Sequence, residues 1–509
     1  MWQRFTWYDV RVIGHYLGVL VSFFSIALLV PLAVAVLMGE WEAAVRYLLT
    51  VGVSLILGSA MRLMRVQPGN LNYQQALAVT GLSWIVLALI AAIPLAFSGH
   101  YGSYVDALFE ATSGLTTTGA SIAVDLEHMA YSDNMWRFVM HLIGGLGLIV
   151  VALSLGLLGK ATSGLYSSEG RSEHVVPNIV TTARTISGIA LIMIAIAVII
   201  IGGACIVAGM EPLRALFHSL WISISGFTTA GFTPTSQSIY YYHSYVLEVM
   251  CMVLMLLGVV NFALFVRIRQ GDTTSFFKDF EIRTGVVWLI IATIVFMASL
   301  CSMGVFSDIM SMLRRGVFML IGASTTAGFQ VVSTNQLSNP NVISSGAFLV
   351  LALLMAVGGS TGSTAGGMKF GRIGLVARSV VSTIKETLAP DTARVSVVYH
   401  HLGRQILTTD AAKGAMTVSA LFIITYLIGS LAGIAHGYDA IDAIFESVSM
   451  AANGGLSSGV TTRGMPVTLE LVYIVEMWAG RLEFITLIAL IVKVVVSLKP
   501  RKKEQGGRA

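Results

Sequence analysis

Four stretches of this chain decide its fold: Phe109-Glu-Ala-Thr-Ser-Gly-Leu-Thr-Thr-Thr-Gly119, Trp221-Ile-Ser-Ile-Ser-Gly-Phe-Thr-Thr-Ala-Gly231, Phe318-Met-Leu-Ile-Gly-Ala-Ser-Thr-Thr-Ala-Gly328 and Phe445-Glu-Ser-Val-Ser-Met-Ala-Ala-Asn-Gly-Gly455. Each places an aromatic residue ten positions before a glycine. Ser113, Ser225 and Ser449 stand six positions before it, with Gly322 in the third copy. Thr117, Thr229 and Thr326 stand two before it, with Asn453 in the fourth. An apolar residue follows each glycine: Ala120, Phe232, Phe329 and Leu456. Every copy lies between two long apolar runs, so the repeating unit reads span, short helix, glycine loop, span. Small-residue clusters often serve only close helix packing. Four copies in register argue instead for one shared structure.

The rest of the chain fits a membrane setting. Of 509 residues, 56% are hydrophobic and 11% charged, with net charge +5; mean hydropathy is +0.81. Soluble proteins are roughly a quarter charged, so water-soluble, disordered and collagen-like classes are excluded. Apolar runs near 14–38, 44–64, 75–98, 136–159, 185–209, 244–266, 284–303, 343–368, 414–435 and 467–497 predict ten spans, each of about 20 residues. The run following Arg4 and Arg11 is too long for a cleaved signal peptide and reads as the first span. With the N-terminus inside, all but seven of the 31 basic residues fall on the inner side. Arg46, Arg137, Arg214, Arg314, Arg315 and Arg463 fall outside, and Arg481 within a span. That bias predicts cytoplasmic termini and puts all four short helices on the outer side. The expected organisation is 1–70 as two extra N-terminal spans, 71–165, 180–270, 280–385 and 410–498 as four pore repeats, and 499–509 as a basic cytoplasmic tail.

The loops carry a physical argument of their own. Irregular backbone at membrane depth is tolerated only where protein buries it or a polar cavity meets it. Four such loops around one axis present rings of carbonyls that replace a cation's water shell. Glycine permits the backbone angles and the close approach. Each short helix aims its partly negative C-terminus at the cation. The candidate ion-binding residues are therefore Thr117, Thr118 and Gly119; Thr229, Ala230 and Gly231; Thr326, Ala327 and Gly328; and Asn453, Gly454 and Gly455.

A second stretch interrupts the eighth apolar run: Gly358, Gly359, Ser360, Thr361, Gly362, Ser363, Thr364, Ala365, Gly366 and Gly367. Its glycines break the helix, and its hydroxyls satisfy freed backbone groups; the plainer reading is a small-residue packing face. Arg481 is a charge within a span, expensive enough to imply function, facing the pore below the loops as an electrostatic barrier. The alternative is an ion pair with Glu476 or Glu483. Two G-x-S-x-G matches, around Ser360 and Ser457, lack the strand–turn–helix setting of a nucleophile elbow. The segment from Gly362 to Lys369 is not a phosphate-binding loop, because Met368 separates glycine from lysine. Cys205, Cys251 and Cys301 are dispersed, and the ten histidines lack ligand spacing, so no metal site besides that for the carried ion is expected. The basic connection 369–413 reads as an inner anchor, or as a docking surface together with 160–184; nothing suggests nucleic acid.

On these residues the chain resembles the Trk/Ktr/HKT superfamily of potassium uptake proteins. The likeness covers nearly the whole chain and rests on Thr117–Ala120, Thr229–Phe232, Thr326–Phe329, Asn453–Leu456, Gly358–Lys369 and Gly480-Arg-Leu-Glu483. The two extra N-terminal spans resemble the Trk branch, of TrkH/TrkG type. The resemblance implies an all-α polytopic fold with ten transmembrane helices and four membrane–pore-loop–membrane repeats in pseudo-fourfold arrangement around one pore. It implies a homodimer in the cytoplasmic (inner) membrane. K+ would be the transported ion, with no cofactor on this chain and no covalent chemistry. It implies that 358–367 and Arg481 gate the pore, and that a TrkA-like, Rossmann-type nucleotide-binding subunit regulates it from the cytoplasm. Serine at the first loop glycine accompanies sodium preference in the plant branch, so Gly119 favours potassium. Gly454 departs from the family, whose fourth loop usually has valine there. A sodium-conducting or sodium-coupled transporter of the same fold is the nearer alternative; a polytopic membrane enzyme is the remote one.

Overall fold

The computed structural model describes residues 4–64, 66, 71–147, 150, 179–303, 309–332, 345–390, 396–482 and 484–498. Helices account for about three-quarters of it. Trp7–Met38 and Trp41–Arg62 form an antiparallel pair that turns at Gly39, a left-handed C-cap with φ 75°. Thr6 opens the pair with a capping box to Asp9.

Each quoted stretch then sits within a common sequence of elements. An entry helix comes first: Tyr73–Ala96, Ile179–Val207, Phe280–Met303 or Thr409–Ala435. A short helix follows: Tyr104–Leu115, Pro212–Phe227, Ile309–Ser324 or Ala440–Ala451. An exit helix returns: Tyr131–Leu146, Tyr245–Gly258, Ser345–Ala356 or Val467–Arg481. The short helices start where local chemistry satisfies their free amides. Ser103 caps the first, Pro212 opens the second and Asp439 caps the fourth. The repeated aromatics are packing anchors: Phe109, Trp221, Phe318 and Phe445 are all buried, and Phe445 stacks on Phe348 at 4.1 Å.

The exit helices differ from the expected continuous spans. The runs 244–266 and 467–497 are broken as well as 343–368. Tyr245–Gly258 continues as Phe262–Arg269 after a 93° bend, and Val467–Arg481 gives way to Ile485–Leu498. Among the described residues, six helices are long and apolar enough to cross a membrane alone, or seven counting the bent pair. The breaks account for three of the four apolar runs that lack such a helix; the other, 136–159, extends outside the described residues. Asn261 caps the half-helix after one break, its side chain accepting from the Ala263 amide at 2.8 Å. The expected end of the fourth span near 159, the 165 boundary, Arg65, Lys160, Arg171, Arg394, Glu483 and the 499–509 tail lie outside the described residues. Within 369–413 the chain forms helix Phe370–Leu388 and an antiparallel hairpin, Val398–His400 with Arg404–Ile406, a small departure from all-α.

Candidate functional site

The four glycine loops meet. Thr117, Thr229, Thr326 and Asn453 all hold left-handed backbone, with φ of 56°, 49°, 53° and 54°. Non-glycine residues rarely do so, and here the same strained angle recurs at the same place in each loop. The glycines two positions on are left-handed too, with φ of 80°, 92°, 69° and 72° at Gly119, Gly231, Gly328 and Gly455.

Each of these glycines faces the backbone of a neighbouring loop. A Cβ on Gly119 would overlap the Ala230 carbonyl oxygen, and one on Gly231 the Ala327 oxygen. A Cβ on Gly328 would overlap the Gly454 oxygen, and one on Gly455 the Thr118 oxygen. Loop one touches two, two touches three, three touches four, and four returns to one. This closed ring brings together all twelve residues singled out from the sequence.

Hydroxyls brace the ring rather than all lining it. Thr116, Thr228 and Thr325 each donate to a carbonyl in the last turn of their short helix, at 2.7 Å. Asn453 links the fourth loop to the first, its Nδ2 donating to Thr118 Oγ1 at 2.9 Å and to the Met477 carbonyl at 3.0 Å. Gly454 has a packing reason: a Cβ there would stand 2.7 Å from Met355 Sδ. The third exit helix occupies the space that a valine would need.

The 358–367 stretch lies against this ring and touches three of its quarters directly, with Arg481 bridging it to the first. Thr364 Oγ1 is 3.0 Å from Thr229 Oγ1 and 2.9 Å from the Gly258 carbonyl. The Gly366 amide donates to Thr326 Oγ1 at 2.7 Å, and a Cβ on Gly366 would overlap the Ala452 carbonyl. Arg481 reaches the first loop: Nη1 donates to Thr117 Oγ1 at 3.2 Å and to the Thr364 carbonyl at 3.0 Å, and Nη2 donates to the Gly144 carbonyl. Glu476, one sequence candidate for its ion pair, instead accepts from Ser447 at 2.8 Å. Lys369 Nζ donates to the Ala365 carbonyl. The stretch is bonded into the ring rather than only packed between helices. The serines of the two G-x-S-x-G matches are similarly absorbed. The Ser360 amide donates to the Val259 carbonyl, and the Ser457 hydroxyl donates to Glu446.

Two features escaped the sequence reading. Gly144, Gly258, Gly358 and Gly480 form a second set, near the exit-helix breaks. A Cβ on each would crowd the side chain of Thr117, Thr229, Thr326 or Asn453 respectively. Their visible signal was a glycine recurring 27 to 32 residues after the left-handed residue. The other feature is a pair of buried carboxylates. Glu110 accepts from Ser121 Oγ at 2.9 Å and the Ile122 amide at 3.1 Å. Glu446 does the same in the fourth loop, accepting from the Ser458 amide at 2.9 Å and Thr461 Oγ1 at 2.9 Å. Arg137, placed on the outer side from the sequence, is wholly buried. It pairs with Glu110 at 2.9 Å. It also donates to the Thr233 carbonyl at 3.2 Å and lies over the Phe232 ring at 4.2 Å. It therefore clamps the segments that follow Gly119 and Gly231.

Comparison with known proteins gives a consistent likeness. Residues 45–500 match the TrkH family, described as cation transport protein. An uncharacterized cation transporter of Methanocaldococcus jannaschii is 30% identical over 488 residues, 96% of either chain. The Trk system potassium uptake protein TrkH of Escherichia coli K12 is 28% identical over 495 residues, 94% of this chain and 98% of that one. The crystal structure of the potassium transporter TrkH from Vibrio parahaemolyticus superimposes with a TM-score of 0.80 at 25% identity, covering 95% of this chain and 98% of that one.

Proposed function

This chain belongs to the TrkH family of membrane cation transport proteins, a transporter family and not an enzyme family, and from that premise we propose that it carries potassium ions into the cell through the glycine ring. The observation that carries the proposal is the closed circuit of glycine against carbonyl, from Gly119 through Gly231 and Gly328 to Gly455. Such a ring offers a dehydrated monovalent cation oxygen dipoles with no formal charge. It binds strongly enough to admit the ion and weakly enough to release it. Thr117, Thr118, Thr229, Ala230, Thr326, Ala327, Asn453 and Gly454 supply the remaining backbone of this filter.

The 358–367 loop and Arg481 are the gate in this reading. A guanidinium beside Thr117 Oγ1 repels the arriving ion until the loop shifts. The working assembly is a homodimer in the inner membrane, with both termini cytoplasmic. A nucleotide-binding subunit of the TrkA kind docks on the basic connection 369–413 and sets the gate. The four repeats and ten crossings anticipated from the sequence belong to this reading.

The test is uptake of rubidium into liposomes holding the purified chain, with excess external potassium or sodium as competitor. Competition by potassium alone, lost in Gly119→Asp, supports the proposal. Equal competition by sodium points to the sodium-carrying reading. Absence of uptake with the regulatory subunit present overturns both.

A further inference from the structure

Away from the ring, three ligand-type side chains converge. Asp279 and Glu281 stand at the start of the third entry helix, Phe280–Met303, and both are buried. His401 comes from the turn of the hairpin Val398–His400/Arg404–Ile406, more than a hundred residues later. One ligand atom from each lies within 4.8 Å of the other two. His401 Nδ1 donates to Asp279 Oδ2 at 2.9 Å. The Phe280 ring packs edge-on against His401 at 5.4 Å, and Arg267 Nη2 holds the neighbouring Leu402 carbonyl at 2.5 Å. The hairpin turn is thus seated on the carboxylates by contacts of its own. Glu281 also grips the 358–367 loop: Oε1 accepts from Thr361 Oγ1 at 2.7 Å and Oε2 from the Thr361 amide at 3.1 Å.

We propose that Asp279, Glu281 and His401 bind a divalent cation of the zinc class, and that this cation pins the hairpin to the 358–367 loop. An imidazole with two carboxylates is a three-ligand set that leaves a fourth position for water. Zinc takes such ligands at about 2.0–2.2 Å, which separates neighbouring ligand atoms by roughly 3–4 Å. Small side-chain shifts bring the triad to that spacing. An imidazole in the set favours zinc-like ions over magnesium or calcium, which favour oxygen alone. On binding, the cation takes the place of the proton shared by His401 Nδ1 and Asp279, and the neutral ring carries its proton on Nε2. One Glu281 oxygen goes to the cation and the other stays on Thr361. The bound cation therefore joins hairpin, entry helix and loop, and holds the loop in its closed position. This last effect rests on the gate reading above; the binding itself does not.

The probe is Zn2+ titrated by calorimetry into the full-length chain, stripped of metal by chelator, with Co2+ absorption as an independent readout. We expect one tight site per chain. His401→Ala and Asp279→Asn, each first checked for a monodisperse folded species, weaken it at least about tenfold, since even residues behind the ligands cost that much. In liposomes, Zn2+ lowers rubidium uptake by the native chain, and the ratio of uptake with and without Zn2+ approaches one in both variants. Absence of stoichiometric binding, or binding that both variants leave unchanged, overturns the site. Binding that the variants abolish, without any Zn2+ effect on measurable uptake, overturns the link to the loop. If the native chain transports nothing, the function proposed above fails while calorimetry and Co2+ absorption still decide the site.

Discussion

Replacing Arg137 by methionine isolates the clamp between the first two loops. Arg137 and Glu110 form an ion pair at 2.9 Å with both side chains fully buried. Removing one partner of such a pair costs about 3–5 kcal/mol, because the remaining charge is left buried and uncompensated. Glu110 keeps the Ser121 hydroxyl and the Ile122 amide, so Arg137→Met belongs at the lower end, about 3 kcal/mol. Glu110→Gln leaves Arg137 its bonds to Asn134 Oδ1 at 3.1 Å and the Thr233 carbonyl at 3.2 Å. Its cost is about 2 kcal/mol, the worth of one hydrogen bond to a charged group. The double variant removes both charges and should cost much less than the sum, with a coupling of about 2 kcal/mol. Reversible unfolding in mixed micelles measures all three. Rubidium uptake with sodium competition measures the consequence. Ser121, Phe232 and Thr233 lie within two residues after the ring glycines, so Arg137→Met should admit sodium more readily. Additive costs within about 0.5 kcal/mol, together with unchanged sodium competition, would refute the clamp.

Other substitutions probe other parts of the ring. Gly231→Ala adds about 1–2 kcal/mol of left-handed strain and a Cβ that overlaps the Ala327 carbonyl; uptake should vanish while the protein still elutes as a folded species. Gly454→Val should impair uptake through its clash with Met355, and Met355→Ala in the same chain should relieve part of that loss, since it removes the Sδ and Cγ atoms nearest a Cβ at 454. Arg481→Gln removes the charge beside Thr117, and Thr364→Val removes the bond to Thr229; each should raise uptake in the absence of a regulatory subunit, as read by rubidium flux.

The loops were legible because their signal is local. Eleven consecutive positions fix aromatic, helix, hydroxyl and glycine together, and four copies average out chance. The 358–367 break was legible because ten small or polar residues interrupt an apolar run. The other breaks were not: Gly258-Val-Val-Asn261 leaves hydropathy nearly unchanged, and one asparagine cap is a weak mark. The burial of Arg137 was not legible, because counting charges by side says nothing of whether each is solvated. Only the fold brings Glu110 against it and supplies the Thr233 carbonyl from another loop. Asp279 and His401 are farther apart still, and their meeting depends on a hairpin that no periodicity announces. What a sequence displays is chemistry repeated within a short window; pairings across repeats become visible only once the ring has closed.

In the proposed reading of the 358–367 loop as a gate, its bonds to the ring let it move without dismantling the filter. Those to the left-handed ring residues fall on side chains: Thr364 on Thr229 Oγ1 and the Gly366 amide on Thr326 Oγ1, with Arg481 bridging the Thr364 carbonyl to Thr117 Oγ1. The contacts that define the ring fall instead between glycine backbone and the carbonyls of Ala230, Ala327, Gly454 and Thr118. Withdrawing the loop breaks the first set and leaves the second in place. Hydrogen bonds of this kind are worth about 1 kcal/mol each after exchange with water. A bound regulator supplies coupling energies of about 1–3 kcal/mol. In the proposed reading, a partner on the neighbouring connection releases the loop by offsetting part of those bonds.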